Sequence, residues 1–598
     1  MKRSEVPVNL TWDLSLIYKT PEDAWAAADE LTALSDKIES EYKGKLKDAK
    51  SIVDCLHLCE KMDEISGRVG NYFGLDMETD YSDSEKVANS GKADSIATEA
   101  YTKTSFVDSE IIEADSAVLE EAMRIGGTVS QKLRKIIRAK AHYLSPETEK
   151  ALTALSEFMG TPYDVYNQAK LADMSFDDFT VNGKTYPLGY ALFEDEYEYE
   201  ADTDVRRAAF RNFSDKIKQY ENVTATAYNA LVRKEKTMAN LRGHKDVFDY
   251  LLFDEEVDRE LYDRQIDVIM EKLAPHMRKY AKLLQKVHKL DKMTYADLKL
   301  SVDPGFDPRV SIEEAEKYLV DGLAIMGEEY VEMIKKAFRE RWIDFANNDG
   351  KCTGGFCSSP YGVPASFILL SWQNRMADVF TLAHELGHAG HFKECNAAQG
   401  CFDTEVATYF VESPSTINEL LLTGYLEKTN PDPRFKRWVL SCTVGKTYYH
   451  NFVTHLLEAA YQREVYKLVD AGESVQADTL SEIFKDVLKK FWGDAVELTD
   501  GAELTWMRQP HYYMGLYSYT YSAGLTISTA MSKRILTEGA PAVEDWKKAL
   551  RAGSTVNPME FAKMAGVDIS TDRPLLETID YIGSLIDEMC ELTEELGF

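Results

Sequence analysis

The sequence contains few cysteines for its length, no long apolar run and fewer basic than acidic residues. Eight cysteines are spread over 598 residues and none forms a CxxC pair, which excludes a disulfide framework and favours a reducing cytosol. Apolar runs such as FILL and LLLTGYL are too short to span a bilayer. The N-terminal segment MKRSEVPVNLTWDLSLIY lacks the apolar stretch of a secretory signal. We therefore expect a soluble, cytoplasmic protein.

The charge balance narrows the range of partners. The formal net charge is −32, and nucleic-acid binding requires a basic surface that this composition does not favour. The same charge disfavours binding to anionic membranes. A solvated acidic surface explains most of the excess, so the charge gives only a weak preference for neutral or cationic ligands. The net charge does not indicate the oligomeric state.

Helical patterning dominates the chain. Apolar residues recur at spacings of three and four through most of the sequence, which predicts a mainly α protein. The segment SFDDFTVNGKTYPL breaks this rhythm around Asn182-Gly183, a pair typical of tight hairpin turns, and predicts a β-hairpin near 176–187. An acidic stretch follows the hairpin. We therefore predict an N-terminal helical portion at 1–195 and a larger helical portion at 196–598.

A second break in the helical pattern lies at 352–372, CTGGFCSSPYGVPASFILLSW. Glycine, serine and proline are followed by an apolar run, which predicts a strand at 366–372 leading into the next helix. An exposed edge of that strand could hydrogen-bond the backbone of an extended peptide. The alternative is an ordinary buried strand.

The segment TLAHELGHAG, at 381–390, carries the strongest chemical signal. On a helix, His384 and His388 lie one turn apart on one face, so both rings can bind one ion. Glu385 lies about 100° around the helix, where its carboxylate can take a proton from a water that the metal activates. This HExxH spacing is typical of zinc peptidases. Gly387 lowers helix propensity but suits the close approach of another element.

The residue pattern alone leaves the third zinc ligand open. A third metzincin histidine would stand at 394, where this chain has Glu394, and a thermolysin-like glutamate would stand at 408, where it has Thr408. Glu405, Glu412 and Glu419 are spaced by seven, so on one continuous helix they would share a face. One of them could bind zinc while its neighbours orient the histidines. The alternatives are a solvated acidic face and a helix whose histidines bind no metal.

Longer motifs make the sequence recognisable. GGFCSSPYGVPASFILLSW, VFTLAHELGHAGH, YFVESPSTINE and WMRQPHYYMGLYSYTYSAG occur in that order. Together with ANLRGHKDVFDYLLF at 239–253, they resemble oligoendopeptidase F in the thimet-oligopeptidase family of zinc peptidases, and the resemblance covers essentially the whole chain. It implies a mainly helical fold in which two lobes flank a deep channel, with a small β element near one zinc ion.

The resemblance also implies roles for individual residues. It makes His384, His388 and Glu412 the zinc ligands and Glu385 the general base. His511 and Tyr519 match residues that bind the substrate and the developing oxyanion. Further substrate-binding candidates in the matched motifs are Tyr512, Tyr517, Gly354 and Gly355. Five tyrosines lie within ten residues of each other after His511, and most of them are expected to serve packing.

The sequence therefore predicts a zinc endopeptidase that hydrolyses short, unstructured peptides. A carboxypeptidase or dipeptidyl carboxypeptidase of the same family is the main alternative, because these enzymes share the same zinc site. A non-catalytic peptide-binding scaffold is a third reading, and the intact set of ligands and base argues against it.

Overall fold

The computed structural model of the chain describes residues 1–352 and 354–598, with side chains given for all of these except positions 146, 150, 153, 154, 156 and 157. Helices hold 72% of the residues and strands 3%, which confirms the predicted mainly α class. Among the residues described, no helix is both long and apolar enough to cross a membrane.

The helices follow one another closely along the chain. Those of the first half are α1 Pro21–Tyr42, α2 Ala49–Glu78, α3 Ser84–Thr104, α4 Phe106–Glu113, α5 Ser116–Ile125, α6 Ser130–Ala139, α7 Pro146–Ala154, α8 Ser156–Met159, α9 Thr161–Asn167, α10 Tyr190–Asp195, α11 Thr203–Lys218, α12 Glu221–Leu241, α13 Val247–Phe253, α14 Arg259–Lys272 and α15 Ala274–Val287. Those of the second half are α16 Ile312–Gly322, α17 Glu328–Arg339, α18 Met376–Ala398, α19 Thr408–Val411, α20 Ser413–Thr429, α21 Pro433–Cys442, α22 His455–Asp470, α23 Ala477–Trp492, α24 Tyr519–Glu538, α25 Ala540–Leu550, α26 Pro558–Met564 and α27 Arg573–Glu595. Two segments, Gln168–Asp173 and Thr443–Thr454, are π-helical.

The predicted hairpin is present. Strands β1, Phe179–Val181, and β2, Lys184–Tyr186, pair antiparallel. Asn182 and Gly183 connect them with φ angles of 51° and 78°. Two successive left-handed residues are what a tight hairpin turn of this type requires, and Asn-Gly adopts them at low energetic cost.

The other strands form a small sheet in the order β3, β5, β4. These are β3 Ile343–Asp344, β4 Phe356–Ser358 and β5 Phe367–Leu369. The strand predicted at 366–372 is therefore shorter, and the expectation that it offers an exposed edge is wrong. Strand β5 pairs with β3 on one side and β4 on the other, and its residues are buried. Its continuous apolar run is the pattern of such a central strand.

Buried hydrophobic side chains of the described residues fall into two clusters. The smaller cluster is built from positions between Ala24 and Ile136. The larger one extends from Trp12 to Leu592 and includes Phe179 of the hairpin. It also contains the apolar face of α18, so the HExxH helix lies inside the main core. The division of the chain at residue 195 stays a prediction.

A segment of the N-terminal portion reaches the loop before His511. The hydroxyl of Tyr166 and the ammonium of Lys170 each donate a hydrogen bond to the backbone carbonyl of Arg508, both at 2.8 Å. The Tyr166 ring also stacks on Tyr513, with ring centroids 4.7 Å apart. Contacts separated by more than 300 residues in sequence therefore fix the start of this loop.

Candidate metal centre and the residues around it

Helix α18 carries the HExxH segment through the core. The rings of His384 and His388 lie one turn apart with centroids separated by 5.1 Å. Neighbouring helices hold the backbone here: the side-chain amide of Asn418 donates to the carbonyl of Ala383 at 2.9 Å. The hydroxyl of Tyr330 donates to the carbonyl of Leu386 at 3.2 Å. The two imidazoles therefore project from a helix that is fixed on several sides.

Glu412 meets both imidazoles. Its Oε2 lies 3.2 Å from Nε2 of His384 and 3.3 Å from Nε2 of His388. The three donor atoms all lie within 4.8 Å of one another. Glu412 stands at the junction of α19 and α20, where Pro414 occupies the first turn of α20. Proline fits that position because it lacks the N–H that a helix start leaves unpaired.

Two glycines allow this close approach of helices. A Cβ at Gly387 would clash with the carbonyl oxygen of Pro414 and would lie 2.5 Å from Cα of Ser415. A Cβ at Gly390 would lie 2.5 Å from the ring of Tyr330. The expectation that Gly387 admits another element is confirmed: α20 packs directly against the turn that carries the histidines. This contact sets the distance between Glu412 and the two rings.

Glu419 orients the first histidine from about two turns further along the chain, within α20. Its Oε1 lies 2.7 Å from Nδ1 of His384, and Thr447 donates to its Oε2 at 2.5 Å. Such a carboxylate fixes the ring so that Nε2 presents its lone pair to an ion. Ser415 donates to Oε2 of Glu412 at 2.8 Å and constrains that carboxylate as well.

The predicted stripe of three glutamates is only partly realised. Glu412 and Glu419 both reach His384, as a ligand and its support would. Glu405 does not share their face, because the chain is not one continuous helix: Glu405 lies exposed in the loop before α19. Glu405 therefore does not share a face with Glu412 and Glu419, and the reason is that α19 begins only at Thr408.

The electrostatics of the cluster suit a cation. Burial lowers the pKa of His384, but hydrogen bonds to Glu412 and Glu419 outweigh burial and raise it well above its ordinary value. Burial raises the pKa of Glu412, but hydrogen bonds to both histidines lower it well below its usual range. Positive charge is thus stabilised between the rings and the carboxylates. Two imidazoles and one carboxylate are also a donor set that zinc accepts, so the residues fit the ion.

Glu385 lies beside this donor set. It is 5% exposed. Burial raises the pKa of its carboxyl, and the two neighbouring histidines offset only part of that effect. A Cβ at Gly355 would lie 3.3 Å from Oε1 of Glu385, so the exposed Gly354-Gly355 segment passes directly by the carboxylate. A side chain at Gly355 would crowd that oxygen.

One prediction concerns Glu419. The change Glu419→Gln removes the charge that orients His384, so we expect zinc affinity to fall about 10- to 100-fold while one ion is still bound at saturation. Competition with a chelator of known affinity measures the change. Glu427→Gln, on the same helix but outside this cluster, should leave the affinity unaltered. An unchanged affinity in the Glu419 variant would contradict the orienting role.

His511 lies in a second polar cluster. Its Nδ1 is 3.6 Å from Oε2 of Glu458, and its Nε2 is 3.5 Å from the Tyr521 hydroxyl. Its ring stacks on Tyr517 with a centroid distance of 5.7 Å. Burial raises the pKa of Glu458, but the charge and hydrogen bond of His455, together with the nearby His511, dominate and lower it to about 2. His511 is therefore held next to a buried carboxylate that stays ionised.

The structure separates the tyrosines after His511 into two groups. Tyr519 is 1% exposed and packs on Tyr262 and Tyr409, with ring centroids 5.0 and 5.9 Å away. Tyr512 is equally buried, against Tyr461. Neither hydroxyl has a hydrogen-bond partner among the described residues. The expectations that Tyr519 reaches the oxyanion and Tyr512 the substrate do not fit this arrangement, because both phenols are sealed in the core.

Tyr517 and Tyr521 form the second group. Both are only partly buried. Burial is the main cause that raises their pKa values, and the negative charge of Glu412 raises both further. Both phenols are therefore close enough to Glu412 for its charge to act on them. Tyr517 was expected in this region, whereas Tyr521 had not been distinguished from the packing tyrosines.

The polar residues Thr447, His455 and Glu458 lie near the site but were not predicted from the sequence. Thr447 supports Glu419 from the π-helical segment, and π-helices often occur at functional sites. His455 and Glu458 are spaced by three on α22, a spacing that puts both on one helix face. The segment HNFVTHLLE contains that pair together with His450, so the sequence alone could have predicted a polar cluster here.

Comparison with known proteins gives the family. The family model described as peptidase family M3 matches residues 197–581, and the model described as oligopeptidase F matches residues 110–176. Oligopeptidase PepF of Bacillus subtilis is 29% identical over 99% of this chain and 88% of its own length. An oligoendopeptidase F homolog of Borreliella burgdorferi is 25% identical over 98% of this chain and 99% of its own.

A solved structure shows the same fold. Oligoendopeptidase-F from Enterococcus faecium superposes with a TM-score of 0.74 at 22% identity, covering 95% of this chain and 98% of its own. The family model covers well over half of the 598 residues, including every residue of the candidate metal centre. The chain therefore belongs to peptidase family M3 and is a peptidase.

Proposed function

We propose that this peptidase is a zinc-dependent endopeptidase that hydrolyses short, unstructured peptides. The observation that carries the proposal is the convergence of His384, His388 and Glu412, with the buried Glu385 alongside. A catalytic zinc site keeps three protein ligands and leaves one position open. The arrangement offers three candidate ligands and a separate carboxylate that would remain available for proton transfer.

Each residue around the ion would have a separate role in the reaction. Zinc bound by the three ligands would polarise the scissile carbonyl and make an attacking water more acidic. Glu385 would accept the proton of that water and pass it to the leaving amine, and its raised pKa favours this exchange near neutral pH. Glu419 would keep His384 in the ligating orientation. Gly354 and Gly355 would let the substrate backbone pass close to Glu385, since neither carries a side chain.

Negative charge that develops on the carbonyl oxygen needs hydrogen-bond donors. We assign this task to Tyr521 and Tyr517 in place of Tyr519, because the charge of Glu412 acts on the first two whereas Tyr519 is buried in the core. His511 would bind the substrate and support Tyr521, whose hydroxyl lies 3.5 Å from its Nε2.

A pair of matched substitutions tests this assignment. Tyr521→Phe removes a donor that acts in the transition state, so we expect kcat/KM to fall about 10²- to 10³-fold with zinc retained. Tyr519→Phe removes a hydroxyl that is buried in the core without a partner among the residues described, and should leave kcat/KM within a few-fold of the parent. The reverse order of effects would restore Tyr519 as the donor.

The mode of attack is tested with a peptide library of graded lengths, in which each peptide has a free or a blocked C-terminus. Mass spectrometry of the products should show internal cleavage of both forms. Cleavage that requires a free terminal carboxylate would instead indicate a carboxypeptidase or dipeptidyl carboxypeptidase. No cleavage at all, in protein shown to contain zinc, would favour the peptide-binding scaffold and refute the proposal.

A further inference from the structure

A second set of metal-ligating side chains lies around Glu458. His455 and Glu458 project from one face of α22, and Nδ1 of His455 lies 2.8 Å from Oε2 of Glu458. Nδ1 of His511 approaches the same oxygen at 3.6 Å. These three donor atoms lie within 4.8 Å of one another, as do those of His384, His388 and Glu412. The set again combines two imidazoles with one carboxylate.

This cluster has unused bonding capacity. Glu458 is 1% exposed, yet its Oε1 has no hydrogen-bond partner in the part of the chain that the structure describes. Within those same residues, Nδ1 of His511 also lacks a partner that meets hydrogen-bond geometry. A buried charged oxygen without a partner is destabilising. A cation between these atoms would satisfy both at once.

His450 orients the cluster from outside. Its Nε2 lies 3.0 Å from Nε2 of His455, so one of these two nitrogens carries the shared proton. With that proton on Nε2 of His455, the Nδ1 of the same ring has a lone pair to offer a cation. A metal ion at this position would therefore replace the proton that His455 and Glu458 otherwise share.

We propose that His455, Glu458 and His511 form a second divalent-cation site, which binds zinc when zinc is in excess and thereby inhibits hydrolysis. Two imidazoles and a carboxylate suit zinc. An ion held there fixes His511 away from the substrate and constrains Tyr517 and Tyr521, which contact His511. The inhibition rests on the proposed endopeptidase function, whereas the site itself does not.

The test is a metal titration of the full-length chain. Metal-free protein is dialysed against increasing free Zn²⁺, and bound zinc per chain is measured together with peptide hydrolysis. We expect a first, tight equivalent that brings activity and a second, weaker equivalent that removes it. Glu458→Gln should keep the first equivalent and lose the second. Circular dichroism and thermal unfolding verify that this variant is folded.

Further variants separate the two sites. His511→Ala removes a ligand that is only partly buried, so the fold should persist while the second equivalent is lost. Glu412→Gln should lose the tight equivalent and keep the weaker one. Glu464→Gln changes a partly exposed glutamate of the same helix and should keep both equivalents.

The outcomes are distinguishable. Saturation of the parent protein at one equivalent, or a second equivalent that survives both Glu458→Gln and His511→Ala, overturns the second site and shows a hydrogen-bonded cluster only. Two equivalents in a protein that hydrolyses no peptide would support the site while refuting the proposed function. Peptide hydrolysis by a protein that binds only one equivalent of zinc would support the proposed function and refute the second site.

Discussion

Replacement of Glu385 by glutamine will leave zinc bound and remove nearly all peptide turnover. The amide cannot accept a proton from water, and general-base catalysis by one positioned group contributes about 10²- to 10⁴-fold to the rate. Glutamine has nearly the same shape, so the ligands on either side of position 385 keep their places. We therefore expect kcat to fall by at least that factor while metal analysis still gives the zinc content of the parent.

A control for this substitution lies on the same helix. Glu394→Gln changes a glutamate that pairs with Arg551 at 2.7 Å, away from the donor atoms, and should retain full activity and zinc. Steady-state kinetics on one peptide, with zinc measured on the same preparations, compares the two variants. Full activity of Glu385→Gln would refute its role as the base, and loss of its zinc would show that the carboxylate supports the site instead.

The second large effect is expected at Glu412. Glu412→Gln replaces an anionic ligand by a neutral amide and leaves two imidazoles to hold the ion. Loss of a residue that only orients a ligand already lowers metal affinity about 10- to 100-fold, so loss of the ligand itself should exceed that range. Activity at limiting zinc should fall in parallel. Zinc should also cease to raise the Tm, because an ion stabilises a protein only to the extent that it binds the folded state.

Glu405→Gln is the matched control for this prediction. Glu405 precedes Glu412 by seven residues but lies exposed in a loop, so its substitution should change neither zinc affinity nor Tm. Chelator competition and thermal unfolding with and without zinc give both quantities. Equal behaviour of the two variants would remove Glu412 from the ligand set.

The sequence specifies local features of this fold better than long-range ones. The HExxH helix, the hairpin at Asn182-Gly183 and the need for space at Gly387 all follow from residues that are neighbours in sequence. Glu405 was misplaced because a spacing of seven implies one face only along an unbroken helix. The helix that precedes Glu412 begins only at Thr408, so Glu405 lies in the loop before it, and a second break follows at Glu412, where α20 starts.

The tyrosines after His511 show a second limit. The five tyrosines within ten residues carry the same side chain, so only their neighbours in the folded structure distinguish their roles. Tyr519 begins α24 and turns toward Tyr262 and Tyr409, whereas Tyr521 turns toward His511. A difference of two residues on a helix rotates a side chain by about 200°. Motif resemblance locates the segment but does not determine which side chain faces the substrate.

The anchoring of Arg508 by Tyr166 and Lys170 has a practical consequence for dissecting the enzyme. A shortened version that starts after residue 195 would retain every proposed zinc ligand and the base. It would lose both donors that hold the peptide carbonyl three positions before His511. Such a fragment should load metal yet process peptides poorly, and adding the missing piece as a separate polypeptide should recover part of the rate.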